Sequence, residues 1–161
     1  HVAMANAIAR QLATIGMAPT VQAVGFDGLV KDFLAPRKFQ IALLDWDEPG
    51  SDPDPYPLWH SSQATADGLN FSNWKNPQAD EQLEIGRKNT DLGVRKTAYS
   101  QFQTLFAADL PALLLFHPVY EYAVADSIQN VSLPDSIHPW DRFATEAQWY
   151  IKTKPVSPLF G

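Results

Sequence analysis

The chain has 161 residues, 45% of them hydrophobic and 19% charged, with a formal net charge of -6 and a pI near 5.0. This is the composition of a globular chain with room for one core, and its acidity, with no basic stripe anywhere, argues against a nucleic-acid partner. Cysteine is absent, which excludes a disulfide scaffold, a cysteine zinc site and a thiol nucleophile; no apolar run approaches the roughly 18 residues that span a bilayer.

Residues 2–15 place Ile8, Leu12 and Ile15 on one face of a helix that Gly16 ends. The opening lacks the basic start and long apolar centre of a signal peptide. It reads as a helix already under way, as in a piece cut from a longer chain. A short β-rich run at 18–24 predicts a strand, and 26–33 a short helix with Leu29, Val30 and Phe33 inward. Residues 39–44, "FQIALL", predict a second strand, apolar on both faces as in a covered parallel sheet. Helix, strand, helix, strand implies parallel pairing through a helical crossover.

The strand runs into "DWDEPGSDPDPYP" at 45–57, rich in acids and prolines. The segment 57–76 has no period and reads as loop, with one helical turn near Tyr56 to His60. Asn76 followed by Pro77 starts a helix that runs to about Asn89. Asp91 starts the strongest helix, with Val94, Ala98, Phe102, Leu105 and Phe106 on one face, and Asp91 and Arg95 spaced for an i, i+4 ion pair. Residues 112–118 and 119–126 predict a third and a fourth strand. From 131 onward the chain is broken by proline and rich in aromatics.

Ligands of open α/β sheets sit beyond the carboxyl ends of parallel strands, and Trp46, Asp47 and Glu48 stand there. Asp45, Asp47, Glu48, Asp52 and Asp54 offer a carboxylate pair for glycoside hydrolysis, or else a solvated loop whose acids cap turns. A calcium loop is unsupported, because the D-x-D-x-D-G spacing is missing. The histidines form no metal-binding spacing. His60 beside Ser61 and Ser62 has no nucleophile elbow and reads as a polar loop residue. Phosphate-cradling glycine motifs are absent as well. Trp46 and Trp59 either pack a small satellite core or line the rim of a ligand site.

The order of these pieces resembles a known family. It consists of "AIARQLATIGM", then "FQIALLDW" with "DPDPYPLWHSS", then "NFSNWKNPQADEQL", then "TDLGVRKTAYSQFQTLFAADLPALLLFHPVYEYAV". Together they resemble the C-terminal lobe of the family 5 extracellular solute-binding proteins, the dipeptide-, oligopeptide- and nickel-binding components of ABC importers. The resemblance implies an α/β fold with a mainly parallel sheet flanked by helices, one lobe of a type II periplasmic-binding-protein-like architecture. Residues 1–130 would form the ligand-binding lobe, and 131–161 an extended tail returning to the other lobe.

It implies no enzyme and no cofactor. The setting would be extracytoplasmic, in a surface-anchored protein, with an importer permease and the missing N-terminal lobe as partners. A peptide or sugar-like small solute would lie between closing lobes, facing Trp46, Asp47, Glu48, Trp59 and Asn70. In peptide-binding members the strand-end Trp precedes, by three residues, an Asp that pairs with the peptide ammonium. Here that place holds Pro49, so the solute class stays open. The alternatives are a carbohydrate-active hydrolase using the loop carboxylates, or an interaction module with no small ligand.

Overall fold

A computed structural model describes residues 1–46, 52, 54–117, 119, 121–133 and 139–153. Two compact units divide the chain, His1–Leu113 and Leu114–Gly161. In the first unit, α1 spans Val2–Ala13, α2 spans Phe26–Gly28 and continues as a π-helical stretch Leu29–Leu34, and α3 is the single turn Tyr56–Trp59. A 3-10 turn at Ser61–Gln63 leads to α4, Pro77–Lys88, and α5, Leu92–Asp109.

The helices predicted from Pro77 and from Asp91 form where their sequence signals place them. Pro77 takes the first turn of α4, where its missing N–H costs nothing, and the Asn76 side chain accepts from the N–H groups of Gln78 and Ala79 at 3.0 and 3.1 Å. Arg87 and Lys88 stand at the negative end of the α4 dipole. Asp91 caps α5 by accepting from Val94 N–H at 2.9 Å. Leu110, in the left-handed region at φ 49°, then turns the chain out of α5 just before Pro111.

α4 and α5 are joined through 89–91 and supply the core. Ala79, Leu83 and Phe102 are buried, and Tyr56, Trp59, Trp74, Tyr99, Leu105 and Phe106 pack around them. Leu83 is fully enclosed; burying such a side chain contributes about 2 kcal/mol. Gly86 leaves room for the Tyr99 ring of α5 against α4. A β-carbon there would lie 2.4 Å from the Tyr99 ring.

The anticipated parallel sheet does not form among the described residues. The described residues of the predicted strands at 18–24, 39–44, 112–118 and 119–126 carry no ladder, and the ladder that the described residues do form is short and antiparallel. It lies in the second unit, where β1, Ile128–Gln129, pairs with β2, Tyr150–Ile151, in the register Ile128 to Ile151 and Gln129 to Tyr150. Two 3-10 stretches, Pro139–Phe143 and Glu146–Gln148, precede β2.

The physical reason is that an apolar extended run becomes a strand only when a neighbour meets its N–H and C=O groups. No such neighbour flanks 18–24 or 39–44 among the described residues, and Val24 and Ile41 stay exposed. α1 is equally uncovered and buries none of its residues. Pro118 and Tyr120 fall outside the described residues, as do 134–138 and 154–161 of the proposed tail.

Candidate functional site

The loop 60–74 organises the candidate site, and Asn70 organises the loop. Asn70 is wholly buried. Its Nδ2 donates to the carbonyls of Trp59, His60 and Trp74 at 3.3, 3.2 and 2.8 Å, and its Oδ1 accepts from Ser72 Oγ and Trp74 N–H. A buried amide with both ends engaged ties distant backbone together without an unsatisfied group. Asn70 was expected on the solute side. In this conformation its amide is fully spent on the loop.

Arg37 grips the same loop from outside. Its backbone takes the left-handed φ of 58°, directly beyond the π-helical stretch. One terminal nitrogen donates to Leu34 and Ala35 carbonyls at 2.6 and 3.1 Å. The other reaches the carbonyls of Thr65, Gly68 and Asn70 at 2.7, 3.0 and 3.2 Å. Its guanidinium lies over the Phe71 ring, 5.0 Å from the centroid. Burial pushes the Arg37 pKa below its ordinary value.

Trp46 meets the other side of this arrangement. It packs edge-on against Phe71 with ring centroids 6.3 Å apart, and 43% of its surface stays exposed. Trp59 packs edge-on against Phe106 at 4.7 Å, so one expected rim residue also belongs to the core. Trp46, Trp59 and Asn70 are thus gathered around one loop. Asp47 and Glu48 lie outside the described residues, as does Pro49.

Each described acid of the opening loop has a partner, and for Asp52 and Asp54 that partner is an arginine. Asp45 pairs with His1 at 2.9 Å, Asp54 with Arg87 at 3.2 Å, and Asp52 with Arg95. Asp54 also accepts from Tyr56 N–H at 3.3 Å, the cap that its place beside proline suggested. Arg95 was expected to pair with Asp91. The Asp91 carboxylate is instead taken by the helix cap, and Arg95 reaches Gly86 O, Asn89 O and Asp52. Asp54 is therefore fastened to α4 and Asp52 to α5.

His60 was read as a polar loop residue, yet it is buried and stacked on Tyr56 at 4.1 Å. Its Nδ1 accepts from Ser62 N–H at 3.0 Å, because a backbone N–H can only donate. Its Nε2 faces Glu84 Oε1 at 3.5 Å and Asp80 Oδ1 at 3.9 Å. Lys88, hydrogen-bonded and charged, holds the Glu84 carboxyl below its ordinary pKa, with His60 adding to the effect. The carbonyl clamp of Arg37 has no local sequence signature, since its far carbonyls stand 28 to 33 residues away. Burial of His60 had one faint signal, the aromatic Tyr56 one helical turn before it.

An open groove of about 520 Å³ runs between α4 and α5, lined by residues that include Ile85, Asp91, Val94 and Ala98. Of the expected solute-facing residues, the described ones, Trp46, Trp59 and Asn70, do not line it. Among the described residues no group of three or more His, Asp or Glu side chains is placed to hold a metal ion. No helix of the described residues is long and apolar enough to cross a membrane.

Comparison with known proteins finds similarity to two curated bacterial proteins. The chain is 27% identical over 151 residues to the oligopeptide-binding protein AppA of Bacillus subtilis, covering 92% of this chain and 27% of that protein. It is 31% identical over 138 residues to protein XP55 of Streptomyces lividans, covering 84% of this chain and 23% of that protein. No family model matches, and no solved structure does. The chain spans about a quarter of the length of the curated relatives it matches. It is distantly similar, over nearly all of its length, to a protein that binds oligopeptides.

Proposed function

We propose that this chain is the C-terminal lobe of an extracytoplasmic, surface-anchored solute-binding protein of the family 5 type, delivering an oligopeptide or another small solute to an ABC importer. The observation that carries the reading is the similarity to an oligopeptide-binding protein along 92% of the chain. It agrees with the motif order that produced the resemblance. In the two-lobed protein, the apolar segments 18–24, 39–44 and 112–118 are strands of a parallel sheet. Residues 131–161 return to the other lobe.

The solute meets Trp46, Asp47 and Glu48 at the rim, with Trp59 and Asn70 holding the loop behind them. The half-exposed Trp46 ring supports this reading, because a large exposed aromatic at the end of an apolar run is suited to stacking on a ligand. The pairing of Asp52 and Asp54 with Arg95 and Arg87 takes those two acids out of the hydrolase alternative and leaves it resting on Asp47 and Glu48.

The test is a thermal-shift panel of di- to pentapeptides and oligosaccharides on the polypeptide as its native gene encodes it. A ligand at a hundredfold its Kd stabilises the bound state by about 2.7 kcal/mol, a readily measured rise in Tm. The same ligand should give no rise in the Trp46→Ala variant. No shift across the whole panel would overturn the solute-capture reading.

A further inference from the structure

We infer that Arg37 is a positioning residue for the solute rim, fixing Phe71 and, through Phe71, the ring of Trp46. The inference deepens the solute-binding reading and rests on it. Several independent features converge on Arg37. Its backbone is held in the left-handed region, which a non-glycine residue occupies at a cost. It follows a π-helical stretch, an irregularity that is rare in helices and recurs at functional sites.

Both of its terminal nitrogens are spent on main-chain carbonyls, on the near side at 34 and 35 and across the loop at 65, 68 and 70. The guanidinium therefore has no terminal N–H left to grip an anionic solute. What remains is its Nε–H and the face of the guanidinium, which stands over the Phe71 ring at 5.0 Å. Phe71 in turn presents itself to Trp46.

Geometry of this kind depends on the planar fork. A lysine keeps the charge but cannot bridge the near and far carbonyls at once or lie flat on the ring. Arg37→Lys should thus release the loop from the helix end while conserving net charge, and Phe71→Ala should remove the link between Arg37 and Trp46 without touching the carbonyl clamp.

The test uses the 161-residue chain labelled with 5-fluorotryptophan and observed by fluorine NMR, with the Trp46 line assigned from Trp46→Phe. In Arg37→Lys the Trp46 line should move away from its wild-type position in the same direction as in Phe71→Ala, while the Trp140 and Trp149 lines stay in place. A Trp46 line that holds its wild-type position in either variant would overturn the inference, and reduce Arg37 to a staple of the loop backbone. Should Arg37→Lys fail to fold, Phe71→Ala still decides the relay, since an unmoved Trp46 line there breaks it. The solute-binding reading is checked apart from this by adding trialanine and then maltotriose to the native polypeptide. If neither shifts the Trp46 line, that reading loses support, while the positioning result stands on the variants alone.

Discussion

Replacing Asn70 is the sharpest perturbation the fold offers. Asn70→Ala deletes the donor to three carbonyls and the acceptor for Ser72 Oγ and Trp74 N–H, at a site with no exposure to solvent. The bond to Trp74 O, at 2.8 Å, and that from Ser72, at 2.9 Å, are the strong ones. Two such bonds at a net of about 1 kcal/mol each, with about 1 kcal/mol for carbonyls left buried and unpaired, give a loss of about 3 kcal/mol. Asn70→Asp should cost more, because it sets a carboxylate oxygen against the carbonyls that Nδ2 now serves, where water cannot reach it.

Urea unfolding followed by tryptophan fluorescence reads the difference. With an m-value of about 2 kcal/mol/M, the Asn70→Ala midpoint should fall by about 1.5 M. Ser72→Ala, which loses one of these bonds, should fall by about 0.5 M. A midpoint for Asn70→Asp within about 0.25 M of wild type would refute the reasoning, since a difference of about 0.5 kcal/mol is that of an ordinary surface change.

Two further outcomes follow from the helix pair. Gly86→Ala should destabilise by about 1–3 kcal/mol, because its β-carbon would meet the Tyr99 ring at 2.4 Å; helix propensity alone would make the same change stabilising by about 1 kcal/mol, so the sign of the shift in denaturation midpoint separates clash from propensity. Asp109 has its pKa lowered by hydrogen bonds from Asn76 and then Trp74, each at 2.9 Å. A carboxyl depressed in the folded state contributes stability above its unfolded pKa and loses it as pH falls through the folded one. Asp109→Asn should therefore lower the unfolding midpoint at neutral pH, and the gap to wild type should close at acid pH; a gap that persists below the carboxylate range would show that the link is not electrostatic.

How far the sequence foretells this structure depends on how local each cause is. α4 and α5 were legible because their signals lie within their own turns: Asn76 and Pro77 at one start, Asp91 at the other, and a buried stripe through Ala98 and Phe102. The strands were not, because 18–24 and 39–44 have strand composition but no ladder partner among the described residues. At the site, Trp46 could be picked out as an aromatic at the end of an apolar run. Asn70 could be noticed as polar but not as buried, since its partners stand at 59, 60, 72 and 74. Arg37 gave no sign at all, because its role depends on carbonyls 28 to 33 residues away. Arg95 shows the same limit in reverse, for the local pairing with Asp91 lost to a helix cap that needed the carboxylate more.

The closure of the α4–α5 pair at both ends bears on how the chain assembles. Asp109 joins the exit of α5 to Trp74 and Asn76 across 35 and 33 residues, and Arg95 seals the turn through Gly86 O and Asn89 O. The Arg95 links span only nine and six residues, and the longer Asp109 links close loops whose entropy cost grows slowly with length. We expect the segment 74–110 to form before the other described residues, which φ-values at Leu83 and Phe102 higher than that at Leu34 would check.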